Sequence, residues 1–172
     1  MNKINDNQLF LCRYVSDLFE YSTKKKDCSS KVFIKAYVYS FTSTRINNEC
    51  FLFDSLDIPA AYDCIKKEKK LNRGHDIYPS YVMAWIGYIM EYFTCVTNIP
   101  LTSLYRKIKP DELYMLYEAY HSLDNDLVVQ RICEAKDIHL NLNDVELLKK
   151  IYYKNTKWFY FKINDSFIDL ID

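Results

Sequence analysis

Apolar residues recur at helical spacing along most of the chain, with polar residues between them. Residues 7–21 show the pattern clearly, because apolar side chains three and four positions apart line one face of a helix. The positions concerned are Leu11, Tyr14, Val15, Leu18 and Phe19. We therefore expect an amphipathic helix here, followed by a solvated break that begins with a run of three lysines.

The segment KVFIKAYVYSFTSTRIN, residues 31–47, allows two interpretations. Its β-branched residues and partial alternation permit a strand, whereas helical spacing would place Phe33, Tyr37 and Phe41 together. We favour one helix, capped at its start by Ser29 or Ser30.

Caps and prolines mark the later helices. Asp57 suits a cap with Pro59 in the first turn, and Pro110 is followed by two acids that favour the positive end of a helix. Asp124 would cap the next helix. The inward residues expected in the helices after Asp57 and Asp124 are Ala60, Ala61, Cys64, Ile65, Leu127, Val128, Ile132 and Cys133. The polar, basic residues 66–75 are expected to form a loop between the N-terminal portion and the rest.

The stretch YPSYVMAWIGYIMEYF, residues 78–93, is apolar and aromatic and carries one formal charge. Its uninterrupted apolar part is far shorter than the about 20 residues that a membrane span needs. With Ser80 as its cap, a helix here would carry two apolar stripes: Tyr81, Trp85, Tyr88 and Tyr92 on one, and Val82, Ile86, Ile89 and Phe93 on the other. A helix that is apolar around most of its circumference is typical of a core. We expect a central core helix, and a face reserved for a partner is the alternative.

Short helices with brief joints indicate an all-α fold, a compact bundle of short helices. We expect a helical domain over residues 1–137, with N-terminal helices in 7–70 and central helices in 79–136. Residues 138–172 would be an extension that packs on this domain or reaches from it. Within it, DVELLKKIYYK predicts a helix, NTKWFYFKIN allows a helix end or a β-like element, and DSFIDLID is an acidic amphipathic end.

Charge and composition count against several classes of site, although zero net charge does not exclude nucleic-acid binding. Lysine plus arginine and aspartate plus glutamate number 23 each, whereas nucleic-acid binders usually carry a basic surplus. Two isolated glycines do not make a phosphate-binding or dinucleotide loop. The six cysteines include no C-x-x-C pair, and MNKINDNQLF has no apolar secretory stretch. We expect a cytoplasmic protein with reduced thiols and with no cofactor and no metal.

Candidate catalytic chemistry is sparse. The three histidines form no metal-binding pair, and no nucleophile motif surrounds a serine or cysteine. His121 and Asp124 would suit a hydrogen-bonded acid–base pair, but Asp124 as a helix cap is the simpler interpretation. The sequence does not support an enzyme, and a site built on this pair remains a rival hypothesis.

Two lysine runs are candidate nucleic-acid contacts: Lys24, Lys25 and Lys26, and Lys66, Lys67, Lys69 and Lys70. Such runs are usually solvated surface, and a nucleic-acid-binding regulator is the alternative interpretation.

Aromatic residues give the strongest indication of function. The chain holds 16 tyrosines, more than a core of this size buries comfortably, although AT-rich codon usage accounts for part of that number. Tyrosine and tryptophan dominate binding hot spots because they offer a large, rigid surface with a polar handle. The candidate partner-binding residues are Trp85, Tyr88, Tyr92, Tyr117, Tyr120, His121, Asp124, Trp158 and Phe161.

Three motifs in fixed order, AWIGYIMEYF, SLYRKIKPDELYMLYEAYHSLD and VVQRICEA, carry a family resemblance. The chain resembles small proteins of low-GC bacteria and their mobile elements that look like antitoxins of toxin–antitoxin modules. The shared positions are Trp85, Gly87, Tyr88, Tyr120, His121, Leu123 and Asp124. The pattern differs at Asn125, where a proline is expected, and from Ile138 onward.

The resemblance implies a protein partner, a toxin encoded nearby, neutralised when this chain covers its active site. It assigns no catalytic role to the shared positions. A phage- or mobile-element inhibitor of a host defence protein is an alternative with the same physical requirements.

Overall fold

The computed structural model describes residues 3–47, 56–71 and 74–139, and every regular element in these ranges is an α-helix. The predicted all-α class is therefore confirmed for the described part of the chain. The eight helices are α1 (Asp6–Lys25), α2 (Ser30–Val38), α3 (Phe41–Asn47), α4 (Ile58–Lys69), α5 (Ser80–Thr97), α6 (Leu101–Lys107), α7 (Pro110–Tyr120) and α8 (Asn125–Ala135).

The chain divides into two units. Asn2–Ile138 contains the eight helices of the described residues, and the other unit takes in Met1 and His139–Asp172. The elements predicted in residues 140–172 lie outside the described residues, as does Cys50. The domain boundary inferred from the sequence stays a prediction.

Helix α5 is the centre of the bundle, as predicted. It packs most extensively on α1 and also contacts α6, α7 and α8. Of the two apolar stripes, the one made of Val82, Ile86, Ile89 and Phe93 is buried throughout. None of the described helices combines the length and the apolar content that a membrane span requires.

Gly87 allows the close contact between α5 and α1. A Cβ atom at this position would lie 2.8 Å from the backbone oxygen of Val15 and 2.8 Å from Cγ of Phe19. These distances are well inside van der Waals contact, so a larger residue would force the two helices apart. The glycine of the Trp-x-Gly-Tyr motif therefore serves helix packing.

Aromatic rings join α1, α2 and α4 in the core. Phe19 meets Phe33 and Tyr37 edge-on, with ring centroids 5.3 and 5.0 Å apart. Phe33 stacks on Tyr62 at 5.7 Å. Edge-on and stacked rings contribute about 0.5–1.5 kcal/mol per pair beyond their buried area. Rings from α1, α2 and α4 thus share one core, and α1 is the helix on which α5 packs most extensively.

The single helix predicted over residues 31–47 is wrong, because the chain breaks after Val38 and restarts at Phe41. The Ser40 hydroxyl accepts a hydrogen bond from the Ser43 amide at 2.9 Å. The Glu68 carboxylate accepts from the Phe41 amide at 2.7 Å. These acceptors satisfy the first amides of α3. Phe41 is consequently 68% exposed and does not share a face with Phe33 and Tyr37, as one continuous helix would require. Ser29, one of the two predicted cap residues, does cap α2.

The loop predicted over residues 66–75 is shorter than expected. Helix α4 continues to Lys69 and ends where Lys70 adopts a left-handed conformation, with φ 50°. Lysine is a good helix former, so a run of lysines does not itself end a helix. Leu71 is buried just beyond the end and fixes where the chain leaves α4.

Three of the predicted helix starts are confirmed. The Asp57 side chain accepts from the Ala60 amide, Pro110 is the first residue of α7, and the Asp124 side chain accepts from the Asp126 amide. Ser80 is instead the first residue of α5 and provides no cap.

Helix α8 is rotated slightly from its predicted orientation. Val128, Val129, Ile132 and Cys133 are buried, whereas Leu127 is exposed. Leu127 lies on the opposite side of the helix from the middle of the stripe that those four residues define, so the prediction that it faces inward is wrong.

Candidate partner-binding face

Rings from α5 and α7 meet on one surface around Tyr117. Its centroid lies 5.4 Å from Tyr81, 5.7 Å from Trp85 and 4.6 Å from His121, which stacks nearly parallel to it. Tyr81 and Trp85 are four positions apart on α5, so one helix face presents both rings. We call this surface the aromatic face: Tyr78, Tyr81, Trp85, Tyr114, Tyr117 and His121.

Tyr78 and Tyr114 extend the aromatic face at the other end of α7. Their ring centroids are 4.5 Å apart. The Tyr78 hydroxyl donates to Oδ1 of Asp111 at 3.0 Å, and Nζ of Lys31 lies 2.6 Å from the same oxygen. The hydrogen bond from Lys31 holds the pKa of Asp111 below its usual range. Burial, followed by the bond to Asp111, raises the pKa of Tyr78, so its hydroxyl remains a donor.

Much of the aromatic face is accessible. Tyr81 is 58% exposed and Tyr114 is 41% exposed, and the neighbouring Met115 is 72% exposed. Trp85 and Tyr117 are half-buried, because each also packs between the helices. The face therefore has a packed base and exposed rings, and exposed apolar patches of this kind mark interaction sites.

His121 and Asp124 have separate partners, although the sequence offered them as a pair. Nδ1 of His121 donates to the carbonyl oxygen of Tyr117 at 2.8 Å. Since a carbonyl oxygen only accepts, Nδ1 carries the hydrogen and Nε2 points away from it. Oδ1 of Asp124 accepts a hydrogen bond from the backbone amide of Asp126 at 2.9 Å. The cap interpretation of Asp124 is confirmed, and His121 belongs to the aromatic face.

Three other candidate residues lie outside the aromatic face. Tyr92 is buried, and its hydroxyl donates to Asp126 at 2.8 Å, which ties α5 to α8. Half-buried Tyr88 stacks on Tyr92 at 6.1 Å. Tyr120 has the guanidinium of Arg131 5.7 Å from its ring centroid. Tyr92 thus offers little surface to a partner, and Tyr88 and Tyr120 offer part of a ring each.

Trp158 and Phe161, the remaining candidates, lie outside the described residues. Conversely, the candidate set omitted Tyr81, Tyr114 and Met115, the exposed large hydrophobic residues of α5 and α7. The spacing offered a signal: Leu113 faces inward on α7, which turns Tyr114 and Met115 outward.

The two lysine runs converge at the C-terminal ends of α1 and α4. Asp27 follows the first run, and its Oδ2 accepts from Nζ of Lys66 at 2.8 Å and from the hydroxyl of Tyr62 at 3.0 Å. Lys25 lies over the ring of Tyr21, 5.0 Å from its centroid. A surface cavity of about 460 Å³ opens beside them, lined by Asp63, Lys66, Lys67, Lys70 and Leu71.

Buried cysteines provide no reactive thiolate in the described bundle. Burial raises the pKa of Cys28 and of Cys133 to about 11. A hydrogen bond with Cys95, followed by burial, raises the pKa of Cys12. These thiols stay protonated near neutral pH and behave as small core residues. In residues 3–47, 56–71 and 74–139 no three potential metal ligands come together.

Comparisons with protein-family models, with curated proteins and with solved structures find no match to this chain.

Proposed function

We propose that the chain is a protein-binding inhibitor, the antitoxin partner of a toxin, which it neutralises by covering the active site with the aromatic face. The observation that supports this is the exposure of Tyr81 and Tyr114, whose rings pair with Tyr117 and Tyr78, together with the exposed Met115 that follows Tyr114 in α7. Single exposed apolar residues are normal on proteins, whereas contiguous patches mark interaction sites. An inhibitor of a host defence protein would use the same surface, and the identity of the captured partner separates the two.

The same cluster has a purely structural interpretation, in which the rings merely cover the joint between α5 and α7. The half-buried pair Trp85 and Tyr117 fits that role. Tyr81 and Met115 do not fit that role, because most of each side chain is exposed to solvent. Truncating either one therefore removes little buried apolar area. Variants at these two positions therefore test binding separately from folding.

The experiment is co-expression of the tagged chain with the products of neighbouring genes, followed by purification and a growth assay. We expect a stoichiometric partner that stops growth when it is expressed alone. Tyr81→Ala and Met115→Ala should each weaken its binding about 30-fold, since a hot-spot residue contributes about 2 kcal/mol.

Phe41→Ala is the matched control, because Phe41 is an exposed aromatic residue on α3 outside the aromatic face. It should leave partner binding and growth rescue unchanged. A chain that purifies alone, or a double variant of Tyr81 and Met115 that still rescues growth fully, would contradict the proposal.

A second candidate function is nucleic-acid binding, and the convergence of the lysine runs favours it. Seven lysines meet four carboxylates there, Glu20, Asp27, Asp63 and Glu68, so the surface keeps a positive excess. The C-terminal carbonyls of α1 and α4 reduce this excess by about half a charge each. The remainder is positive, and phosphate groups would be attracted to it.

A further inference from the structure

The segments that build the aromatic face contain no positive charge apart from any on His121. Neither residues 78–97 nor residues 110–130 include a lysine or an arginine, although the whole chain has 23. The two segments carry six carboxylates: Glu91, Asp111, Glu112, Glu118, Asp124 and Asp126. Glu91 is buried, so the other five set the charge of this surface.

Glu118 is the carboxylate most available to a partner. Asp111 is paired with Lys31, and Glu112 lies 2.7 Å from Lys136. Glu118 is exposed, and within the described ranges it has no ion pair. It lies four positions after Tyr114 and three before His121, which puts it on their side of α7. The last carbonyls of α7 add negative partial charge at this end.

The aromatic face also lacks the cations that cover other tyrosine rings of this chain. Among the described residues, the cation lies 5.0, 4.7 and 5.7 Å from the ring centroid in the pairs Lys25 on Tyr21, Lys109 on Tyr105 and Arg131 on Tyr120. In the described part of the chain no lysine or arginine lies over Tyr81, Tyr114 or Tyr117. Tyr117 is stacked by His121 and Tyr114 is contacted by Tyr78, so Tyr81, which is 58% exposed, is the ring most open to a cation from outside.

We propose that the aromatic face receives a cationic protein surface, with an arginine of the partner stacked on Tyr81 and hydrogen-bonded to Glu118. A guanidinium can lie flat on a ring while its edge donates to a carboxylate, which a lysine ammonium cannot do in the same way. Phosphate groups and acidic proteins would meet uncompensated negative charge here. The inference rests on the proposed function for the existence of a partner, but it concerns only the chemistry of the contact.

A peptide titration tests that chemistry without the partner. The folded chain is titrated with a short capped peptide bearing three arginines, and with counterparts bearing three lysines or three glutamates, while NMR follows the tyrosine ring protons. We expect saturable shifts of the Tyr81 ring with the arginine peptide, smaller shifts with lysine and none with glutamate.

Two substitutions and their controls locate the contact. Glu118→Gln and Tyr81→Leu should each weaken the arginine peptide about fivefold, in line with the strength of exposed cation–π contacts and ion pairs. Tyr81→Phe retains the ring and should bind like the parent, as should Asp17→Asn, an exposed carboxylate on α1. Equal binding of the glutamate peptide, or unchanged arginine affinity in both Glu118→Gln and Tyr81→Leu, would overturn the inference.

The captured partner separates this inference from the proposed function. Glu118→Lys should slow association with that partner about tenfold at low salt and less at high salt, because charge steers the encounter. A partner that binds the parent and Glu118→Lys alike would overturn the cationic contact and leave the inhibitor function intact. If the arginine peptide binds but no partner is captured, the cationic contact is supported and the inhibitor function is contradicted.

Discussion

Glu91 lies in the core of the described bundle with 1% of its surface exposed. The Tyr37 hydroxyl donates to its Oε2 across 3.4 Å. Burial raises the pKa of Glu91 to about 7, and the hydrogen bonds from Tyr37 and Thr94 offset only part of that shift. In the unfolded chain the same carboxyl has its usual pKa of 4.5.

This shift predicts that the protein loses stability as the pH rises from 4.5 to 7. In that window the folded state holds a proton on Glu91 that the unfolded state has released, so each pH step favours unfolding. The full difference is about 3 kcal/mol by the linkage relation. Glu91→Gln should remove this slope and should be more stable than the parent at pH 8.

Urea unfolding of the parent and Glu91→Gln, measured at intervals between pH 4 and 8, checks the prediction. Glu118→Gln serves as the control, because Glu118 is an exposed glutamate and its loss should leave the slope unchanged. Parallel curves for the parent and Glu91→Gln would show that Glu91 does not titrate on folding.

Burial of individual tyrosines could not be predicted from periodicity, because each depends on another helix. Tyr88 and Tyr92 share a stripe with Tyr81 and Trp85, yet Tyr92 is buried because Asp126 of α8 accepts its hydroxyl. Tyr81 is 58% exposed although its ring contacts Tyr117 of α7. The sequence therefore indicated the helices that form the face, but not which of their rings reach solvent.

Helix starts were predictable wherever the signal is local. Asp57, Pro110 and Asp124 act within three residues of the amides or the turn that they serve, so the sequence alone identifies them. The break between α2 and α3 was not predictable, because Glu68 supplies an acceptor from a helix 27 positions away. Tertiary contacts of this kind override local propensity.

The contact between α1 and α5 predicts a large effect for Gly87→Ala. Alanine improves helix propensity by about 1 kcal/mol, whereas overpacking a core costs about 1–3 kcal/mol. The steric penalty should prevail, because the nearest atoms include the backbone oxygen of Val15. A backbone atom cannot rotate away from the new Cβ as a side chain can. We expect a net destabilisation of about 1–2 kcal/mol.

Thermal unfolding of Gly87→Ala measures this balance. Ala119→Gly, on the exposed side of α7, measures the difference in helix propensity between alanine and glycine without any change in packing. It should lower the free energy of unfolding by about 1 kcal/mol. If Gly87→Ala proves more stable than the parent, α1 and α5 have room to separate, and the glycine is not required for their contact.

Charge is segregated over the molecule as a whole, although its formal net charge is zero. The lysine runs gather at the ends of α1 and α4, and the segments of the aromatic face have no lysine or arginine. Overall composition argues against nucleic-acid binding only when charge is spread evenly, which is not the case here. The two surfaces use different helices, so their functions can be separated by substitution.

The last prediction concerns the lysine surface. Replacing Lys26, Lys67, Lys69 and Lys70 by glutamine should weaken any binding of duplex DNA and reduce its salt slope by about 0.9 for each lysine that contacts a phosphate. Partner capture through the aromatic face should be unchanged. Affinity measured between 50 and 200 mM salt provides the slope.

A second variant with Lys3, Lys35, Arg106 and Lys107 replaced by glutamine controls for net charge, since all four are exposed elsewhere. Equal losses in both variants would reflect net charge alone. If the parent does not bind DNA at 50 mM salt, the nucleic-acid function is wrong. The lysines then serve to offset the negative C-terminal ends of α1 and α4.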